Sequence, residues 1–483
     1  MEKIQSLAFW QKSKFILVLI LATFFLKGVF LTVLFPIFEG QDEARHYNTI
    51  QYLLQPESVV KNDERATAKN NKIFADYNFS EEILKAGTAA GLDSLRSADY
   101  NKIEYSDSYD GQNEAEINKH GWLPYNFWTY PDMVSNTQFY HKVSSLIEKF
   151  FSNQSILVRF YLIRIFSVLL GTAVVLFSYL IAKAIGFSAK HSLILAAIVS
   201  FQPRLSIYFT NINYDTLFVL LFIVFTYAAV LALKNGLNWK NLILLIASIA
   251  LGIMTKQTTM VLLVAFTILM FFFVYKKIER MSKNVKLFSF VVFLLALGFL
   301  LVFLAKNIPS GNYEMENILS STGKYLSKTL TLSHLASPSE SYWGALGWTN
   351  SWVVENFIKI IWAIQFFAAI GIGIFLFSKK ERPDFLPEKK YIVFLLMMIA
   401  LLQLGIRFAD WSLFQALGRI ETGLPGRYFL PNITAHIILV FVGIGALVKK
   451  KIFFERSLLV GLVLMMALTL YLISNVIIYR YYL

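Results

Sequence analysis

Blocks of about twenty consecutive apolar residues recur along this chain, and no other feature limits its fold so tightly. As a helix, a stretch of that length matches the roughly 30 Å hydrocarbon core of a bilayer. Lipid offers no partner to backbone N–H and C=O groups, so each block must satisfy them internally. Hydropathy therefore predicts an all-α, polytopic integral membrane protein with about eleven transmembrane helices. They are expected at 15–35, 158–181, 191–209, 215–233, 240–254, 257–275, 287–305, 357–378, 391–407, 429–447 and 457–478. Only the polar run Thr255-Lys256-Gln257-Thr258-Thr259 separates the fifth from the sixth. The chain is 16% charged, against about 25% for soluble domains, which excludes a soluble multidomain protein. The first block follows Lys3, Lys12 and Lys14 as a signal peptide would, but it lacks a small-residue cleavage site and reads as a retained helix.

Alternate loops differ in charge. One set holds Lys183 and Lys190, Lys234 and Lys240, the cluster from Lys276 to Lys286, the cluster from Lys379 to Lys390, and Lys449–Lys451 with Arg456. The opposite short segments offer only Arg204, Lys256, Arg407, Arg419, Arg427 and Arg480. The positive-inside rule then puts the N-terminus in the cytoplasm and the C-terminus outside. It also accounts for the net charge of +14, which in a soluble protein would suggest nucleic acid; no nucleic-acid partner is expected here. The absence of cysteine excludes disulfides, thiol catalysis and thiolate metal sites.

The chain reads as one membrane domain, 1–483, with two larger outward-facing loops. Residues 36–155 are rich in Asn and Tyr, with helices predicted over 42–54 and 142–151. Residues 306–356 carry Trp343, Trp348 and Trp352. Neither loop shows the sustained alternation of a strand-rich domain, so both are expected to pack as short helices and loops on the outer surface.

Polar islands sit at the outer ends of the spans. In FEGQDEARHYNTIQYLL, Asp42 and Glu43 open a helix, and a helix N-terminus favours their charged form. His46 follows at spacings of four and three, on the same face as both. Two carboxylates and an imidazole suit proton abstraction from a hydroxyl, or a divalent cation such as Mg or Mn. The plainer reading is an acidic helix start with a solvated histidine. Five further islands follow. FQPRLSIYFTNINYDTLF offers Arg204, Asn211, Asn213 and Asp215, or else a capped helical hairpin. Lys256 opposes the charge rule between two spans, or snorkels. Ser341–Trp352 makes an aromatic platform for a sugar or lipid, or an interfacial belt. Arg407 with Asp410 can be a simple surface ion pair. In GRIETGLPGRYFLPN, Gly423, Pro425 and Gly426 place Arg427 at a helix start, where the dipole disfavours it. Glu421 or an anionic ligand is needed in compensation, and the guanidinium suits a pair of phosphate oxygens. Within the spans lie Lys27, Arg159 and Arg164, the two arginines near enough to an end to snorkel outward.

Independent accidents would scatter over both faces, yet Asp42, Asp215, Lys256, Trp343 and Arg427 fall on one. Carboxylates, cations and aromatics at a lipid–water boundary describe a site for an anionic lipid that carries a sugar. No glycine-rich nucleotide loop is present, so a donor would be lipid-linked.

Five stretches then carry a resemblance: QDEARHY (41–47), NYDTLF (213–218), TKQT (255–258), SYWGALGW (341–348) and LPGRYFLP (424–431). The chain resembles the GT-C superfamily of membrane glycosyltransferases, and within it the bacterial membrane-protein family catalogued as domain of unknown function 2142. The resemblance implies a GT-C-like fold and an active site under the first outer loop, with Asp42 as general base supported by Glu43. It also implies a polyprenyl-phosphate sugar donor and inversion at the anomeric carbon. Lys256 and Arg427 become candidates for the donor phosphate, joined by Arg204 and Arg407. His46, Asn213, Asp215, Trp343, Trp348 and Glu421 become candidates for substrate contacts. Many GT-C relatives carry a His-Pro-Pro-Leu-Tyr-type stretch at the end of this loop. Here it reads NTQFYHKVSSLIEKF (136–150), with His141 but no prolines.

The function expected is glycosyl transfer to a cell-envelope glycan or lipid at the outer face of a bacterial cytoplasmic membrane. The rivals are a transporter or flippase of lipid-linked saccharides and a scaffold subunit of an envelope-assembly complex. A transporter should show a polar path through the bilayer, whereas the ionisable groups here stop at its outer edge.

Overall fold

The computed structural model describes residues 2–54, 74–89, 122–128, 138–278, parts of 282–298, 315–343, 355–379, 381–417 and 425–483. Among these, eight helices are long and apolar enough to cross a membrane, and they coincide with the expected spans other than the third, fifth and seventh. The third and fifth are shorter apolar helices, Ala189–Ser200 and Trp239–Ile253. At 1.5 Å per residue they reach only about 18 and 22 Å. Much of the seventh, 287–305, lies outside the described residues.

Helices are labelled α1 (Glu2–Leu34), α2 (Glu43–Tyr52), α3 (Glu81–Ala89), α4 (Phe139–Phe150), α5 (Ile156–Ala184), α6 (Ala189–Ser200), α7 (Pro203–Tyr208), α8 (Asp215–Asn235), α9 (Trp239–Ile253) and α10 (Val261–Ile278). They continue as α11 (Met315–Thr329), α12 (Leu332–Trp343), α13 (Glu355–Phe377), α14 (Lys389–Leu417), α15 (Ile433–Val448) and α16 (Lys451–Tyr471). The 3₁₀ turns Gln257–Met260 and Gly426–Asn432 lead into α10 and α15. Lipid tails are as apolar as leucine, so helices in a bilayer associate through close packing. Between α13 and α15 the backbones touch: a Cβ on Gly371 would lie 2.0 Å from Gly443 O, and one on Gly443 2.0 Å from Ala368 O.

The short α6 ends in a break that matters for the site. Gln202 accepts from Leu205 N at 2.5 Å, and Pro203 follows at the first helical position, where its missing N–H costs nothing. Lys27, in the middle of the first span, donates to the Ser200 carbonyl and to Ser206 Oγ at 2.8 Å. It thus closes the C-terminal end of α6, whose last carbonyls lack intrahelical partners and favour a cation.

The predicted helices of the first outer loop appear as α2 and α4, with α3 between them. One expectation is corrected. That loop is not only helices and turns, because Phe74–Ser80 and Trp122–Trp128 pair as antiparallel strands, Phe74 opposite Trp128 and Ser80 opposite Trp122. Both are short, aromatic-rich and far apart in sequence, and strand formation at such sites depends on context more than on pattern.

The arginines of the second span do not snorkel. Arg159 is buried and binds Glu82 at 2.8 Å and also Glu148, while Glu148 accepts from Tyr47 Oη at 3.0 Å and Gln51 Nε2 at 3.2 Å. This buried network fastens α2, α3 and α4 to the start of α5. At the other end of the bundle Lys190 meets Glu455 at 2.7 Å, so the polar islands and the basic loops lie at opposite ends.

Candidate functional site

The site begins where α1 stops. Arg164, fully buried, donates to the carbonyls of Thr32 (2.9 Å), Phe35 (2.8 Å) and Pro36 (2.8 Å), the unpaired acceptors that every helix end leaves. Its remaining donors go to Glu43: Nε to Oε1 at 2.8 Å and Nη2 to Oε2 at 2.6 Å. Ile212 N (2.8 Å) and Gly40 N (3.1 Å) complete the carboxylate. Gly40 is required by close approach, since a Cβ there would lie 2.8 Å from both Asn211 Cγ and Glu43 Oε2.

The two expected catalytic carboxylates therefore part company. Glu43 is buried, and its carboxylate is saturated by Arg164 and two backbone N–H groups. Asp42, at the N-terminus of α2, makes no capping hydrogen bond and has φ 58°. A non-glycine residue in the left-handed region costs about 1–3 kcal/mol, which the Arg164–Glu43 frame sustains. The Asp42 carboxylate stays partly accessible, 3.5 Å from Arg45 and 3.9 Å from Arg427.

Beside it stand the cations. Arg204 Nη2 donates to Gln41 Oε1 at 3.0 Å, and Arg427 Nη1 donates to the same oxygen. The Arg427 guanidinium lies over the Tyr428 ring, 4.9 Å from its centroid, and its Nε is buried without a protein acceptor. Gly426 seats the Arg427 turn against the end of α12, where a Cβ would come within 2.1 Å of Tyr342 N. Gln202 Nε2 donates to the Tyr342 carbonyl at 2.8 Å and ties the same contact to α7, the helix of Arg204.

Lys256 is paired with Asp215 at 2.5 Å, and its ammonium lies 4.4 Å from the Tyr428 ring centroid. Tyr208 Oη also donates to Asp215, at 2.8 Å. Asn213 takes Asp215 N at 2.8 Å and reaches the Gln41 carbonyl at 3.4 Å. The charge of Lys256 is thus matched by Asp215, while Arg204 and Arg427 converge on Gln41.

His46 does not face solvent. Its Nδ1 meets His141 Nε2 at 3.1 Å, and Tyr214 sets its ring edge-on against both. Burial pushes His46 down to about 3, with Asp215 opposing and Arg427, Arg45 and Lys256 adding, so it is neutral. His141 lies well below the usual range, through burial and then His46. The expected trio of Asp42, Glu43 and His46 thus does not converge on a cation: Glu43 is held by Arg164 and His46 by His141. Among the described residues no group of three or more His, Asp or Glu side chains is placed to hold a metal.

Trp343 is neither an open platform nor an interfacial belt. It is buried against Tyr342 and His436, with ring centroids 5.1 and 5.8 Å away. Arg407 lies apart from the cluster, beside Asp410 and Tyr325, whose hydroxyl donates to the Arg407 carbonyl at 3.3 Å and to Asp410 at 2.7 Å. Trp348 and Glu421 lie outside the described residues. Gln41, Arg45, Tyr208 and Tyr428 belong to the site without having been singled out from the sequence, though all four lay inside quoted stretches.

The comparison with known families falls on the middle of this arrangement. Residues 155–305 match the family model of dolichyl-phosphate-mannose-protein mannosyltransferases. The matched segment contains Arg164, Arg204, Asp215 and Lys256, and stops short of Asp42 and Arg427 on either side. It supports a membrane glycosyltransferase of the GT-C type. No curated protein and no solved structure matches the chain.

Proposed function

We propose that this protein transfers a sugar from a polyprenyl-phosphate donor to a hydroxyl of a cell-envelope glycan or lipid, at the outer face of a bacterial cytoplasmic membrane. The observation that carries this reading is the meeting of one accessible carboxylate, Asp42, with two arginines, Arg204 and Arg427, at the end of the bundle away from the basic loops. Asp42 takes the proton of the acceptor hydroxyl as its oxygen attacks the anomeric carbon. The bond from that carbon to the phosphate oxygen breaks on the opposite side, which inverts the centre. Arg204 and Arg427 stabilise the charge that develops on the departing lipid phosphate. Glu43 holds Asp42 in place through Arg164. The motifs that resemble the domain-of-unknown-function 2142 family contribute Asp42, Asp215, Lys256 and Arg427 to this one cluster.

The test uses purified full-length protein with labelled polyprenyl-phosphate sugars. Asp42→Asn is expected to abolish sugar release while donor binding persists, and Arg427→Ala to weaken donor binding. Normal turnover in the first variant removes the base. Transbilayer movement of an intact lipid-linked saccharide without sugar release would replace this reading with a flippase.

A further inference from the structure

The buried cations at this end of the molecule are matched with carboxylates in a regular way. Arg164 meets Glu43, Arg159 meets Glu82 and Glu148, and Lys256 meets Asp215. Arg427 lies 3.9 Å from Asp42, and it shares with Arg204 a single neutral acceptor, the amide oxygen of Gln41. That oxygen has two lone pairs, one for each guanidinium, and carries only a partial charge. A phosphate oxygen in the same place would bring a full negative charge, so that donor and acceptor of each bond would both be ionised. Arg427 Nε, on the other edge of the guanidinium from Nη1, is buried and without a protein acceptor, so a further donor is left at this place.

We propose that Gln41 is a built-in occupant of the donor-phosphate subsite, whose amide oxygen holds the position an anionic phosphate oxygen takes between Arg204 and Arg427 and yields it when the donor binds. The inference rests on the phosphate role given to the two arginines above and adds the residue that controls access to them.

The local architecture suits an exchange made by a side chain alone. The backbone around Gln41 is fixed: Gly40 has no room for a Cβ, Glu43 is locked by Arg164, and the Gln41 carbonyl accepts from Asn213. The three side-chain torsions of Gln41 remain to carry the movement. A neutral occupant also fits reversible use. A carboxylate between two guanidiniums would compete with phosphate on equal terms, and an apolar residue would remove the acceptor that both guanidiniums share. Gln41 is the chain neighbour of Asp42, so release of Arg427 toward the phosphate happens beside the proposed base.

The experiment measures binding of farnesyl phosphate, with inorganic phosphate in parallel, to full-length protein in lipid nanodiscs. Gln41→Ala is expected to tighten farnesyl phosphate binding about tenfold, the effect of removing one competing hydrogen bond. Gln41→Glu, nearly isosteric, is expected to weaken it by about tenfold or more. A gate therefore moves the two variants in opposite directions, whereas a merely structural glutamine would weaken binding in both. Should Gln41→Ala fail to fold, Gln41→Met keeps the side-chain length without the acceptor and carries the same expectation. Unchanged or weaker binding in the Ala or Met variant overturns the proposal, as does wild-type affinity in Gln41→Glu. A gain for inorganic phosphate alone overturns it as well, since the subsite would then not be the donor's. Arg427→Ala separates the two readings: lost binding there with no gain in Gln41→Ala removes the gate and leaves the phosphate site. A wild-type protein that binds neither phosphate removes both.

Discussion

Replacing Glu43 with Gln exchanges one oxygen for an NH₂ group, and the surroundings accept neither orientation of the new amide. With the nitrogen at the Oε2 position, it faces Arg164 Nη2 and Gly40 N, both donors. Flipped to the Oε1 position, it faces Arg164 Nε and Ile212 N, again both donors. The charge that balances a fully buried arginine is lost as well. Removing one partner of a buried ion pair typically costs about 3–5 kcal/mol, and this variant adds a donor–donor contact in either orientation. We expect Glu43→Gln to lose about 3–5 kcal/mol, read as the midpoint of SDS-driven unfolding in bicelles followed by tryptophan fluorescence. Asp42→Asn, one residue away, removes only partly exposed pairings at 3.5 and 3.9 Å. It should keep its unfolding midpoint within the range of surface substitutions, about 0.5 kcal/mol, while losing turnover. A Glu43→Gln protein as stable as wild type but inactive would refute the division of roles between the two carboxylates.

The histidine pair sets an acid sensitivity. His46 is held neutral with its pKa at about 3, against 6.5 for the free side chain, so below pH 6.5 the unfolded chain binds more protons than the folded one. The stability it contributes is complete above 6.5 and is lost as pH falls from there toward 3, at up to about 1.4 kcal/mol per pH unit. His46→Gln should flatten the unfolding midpoint against pH over that window, and an unchanged slope would count against a buried neutral histidine. Gly426→Ala would drive a Cβ into Tyr342 N and Pro338 O, at 2.1 and 2.4 Å. It should cost at least about 1–3 kcal/mol and weaken donor affinity together with stability; a variant normal in both would mean that α12 does not seat the Arg427 turn. Lys256→Met leaves Asp215 without its cation and should destabilise by about 3 kcal/mol, with most of this regained in Lys256→Met/Asp215→Asn. Failure of the double variant to recover would show that the pair is not the source of the loss.

The parts of the fold that depend on chain-local chemistry were legible from the sequence. Apolar length marked the spans, and helix starts marked α2 and α4 within a few residues. The gathering of Asp42, Asp215, Lys256 and Arg427 at one end of the bundle was expected from the side of the membrane on which each was placed, together with Trp343. What could not be read was which charge would meet which. Glu43 looked like Asp42, and only the tertiary fold brings Arg164, 121 residues away, onto the one and not the other. His46 looked solvated because its partner, His141, lies 95 residues further on. Gln41 gave no signal at all, since a neutral amide beside two acids draws no attention until two arginines are found to converge on it. Trp343 looked interfacial because a sequence does not record that Gly426 opens a space for the end of α12.

The bond from Gln41 to Arg427 spans 386 residues of chain. At a synthesis rate of about 5–20 residues per second, roughly 20–80 s pass between the emergence of one half of the cluster and the other. During that interval Asp42 already stands at the membrane surface, while the guanidinium that faces it has not been made. A nascent chain therefore carries an unfinished cluster through most of its insertion, and emergence of Arg427 ahead of the next-to-last predicted span is the event that completes it. Truncations upstream of Arg427 should then yield proteins whose first loop is anchored by Arg164 and Arg159 yet holds no lipid phosphate.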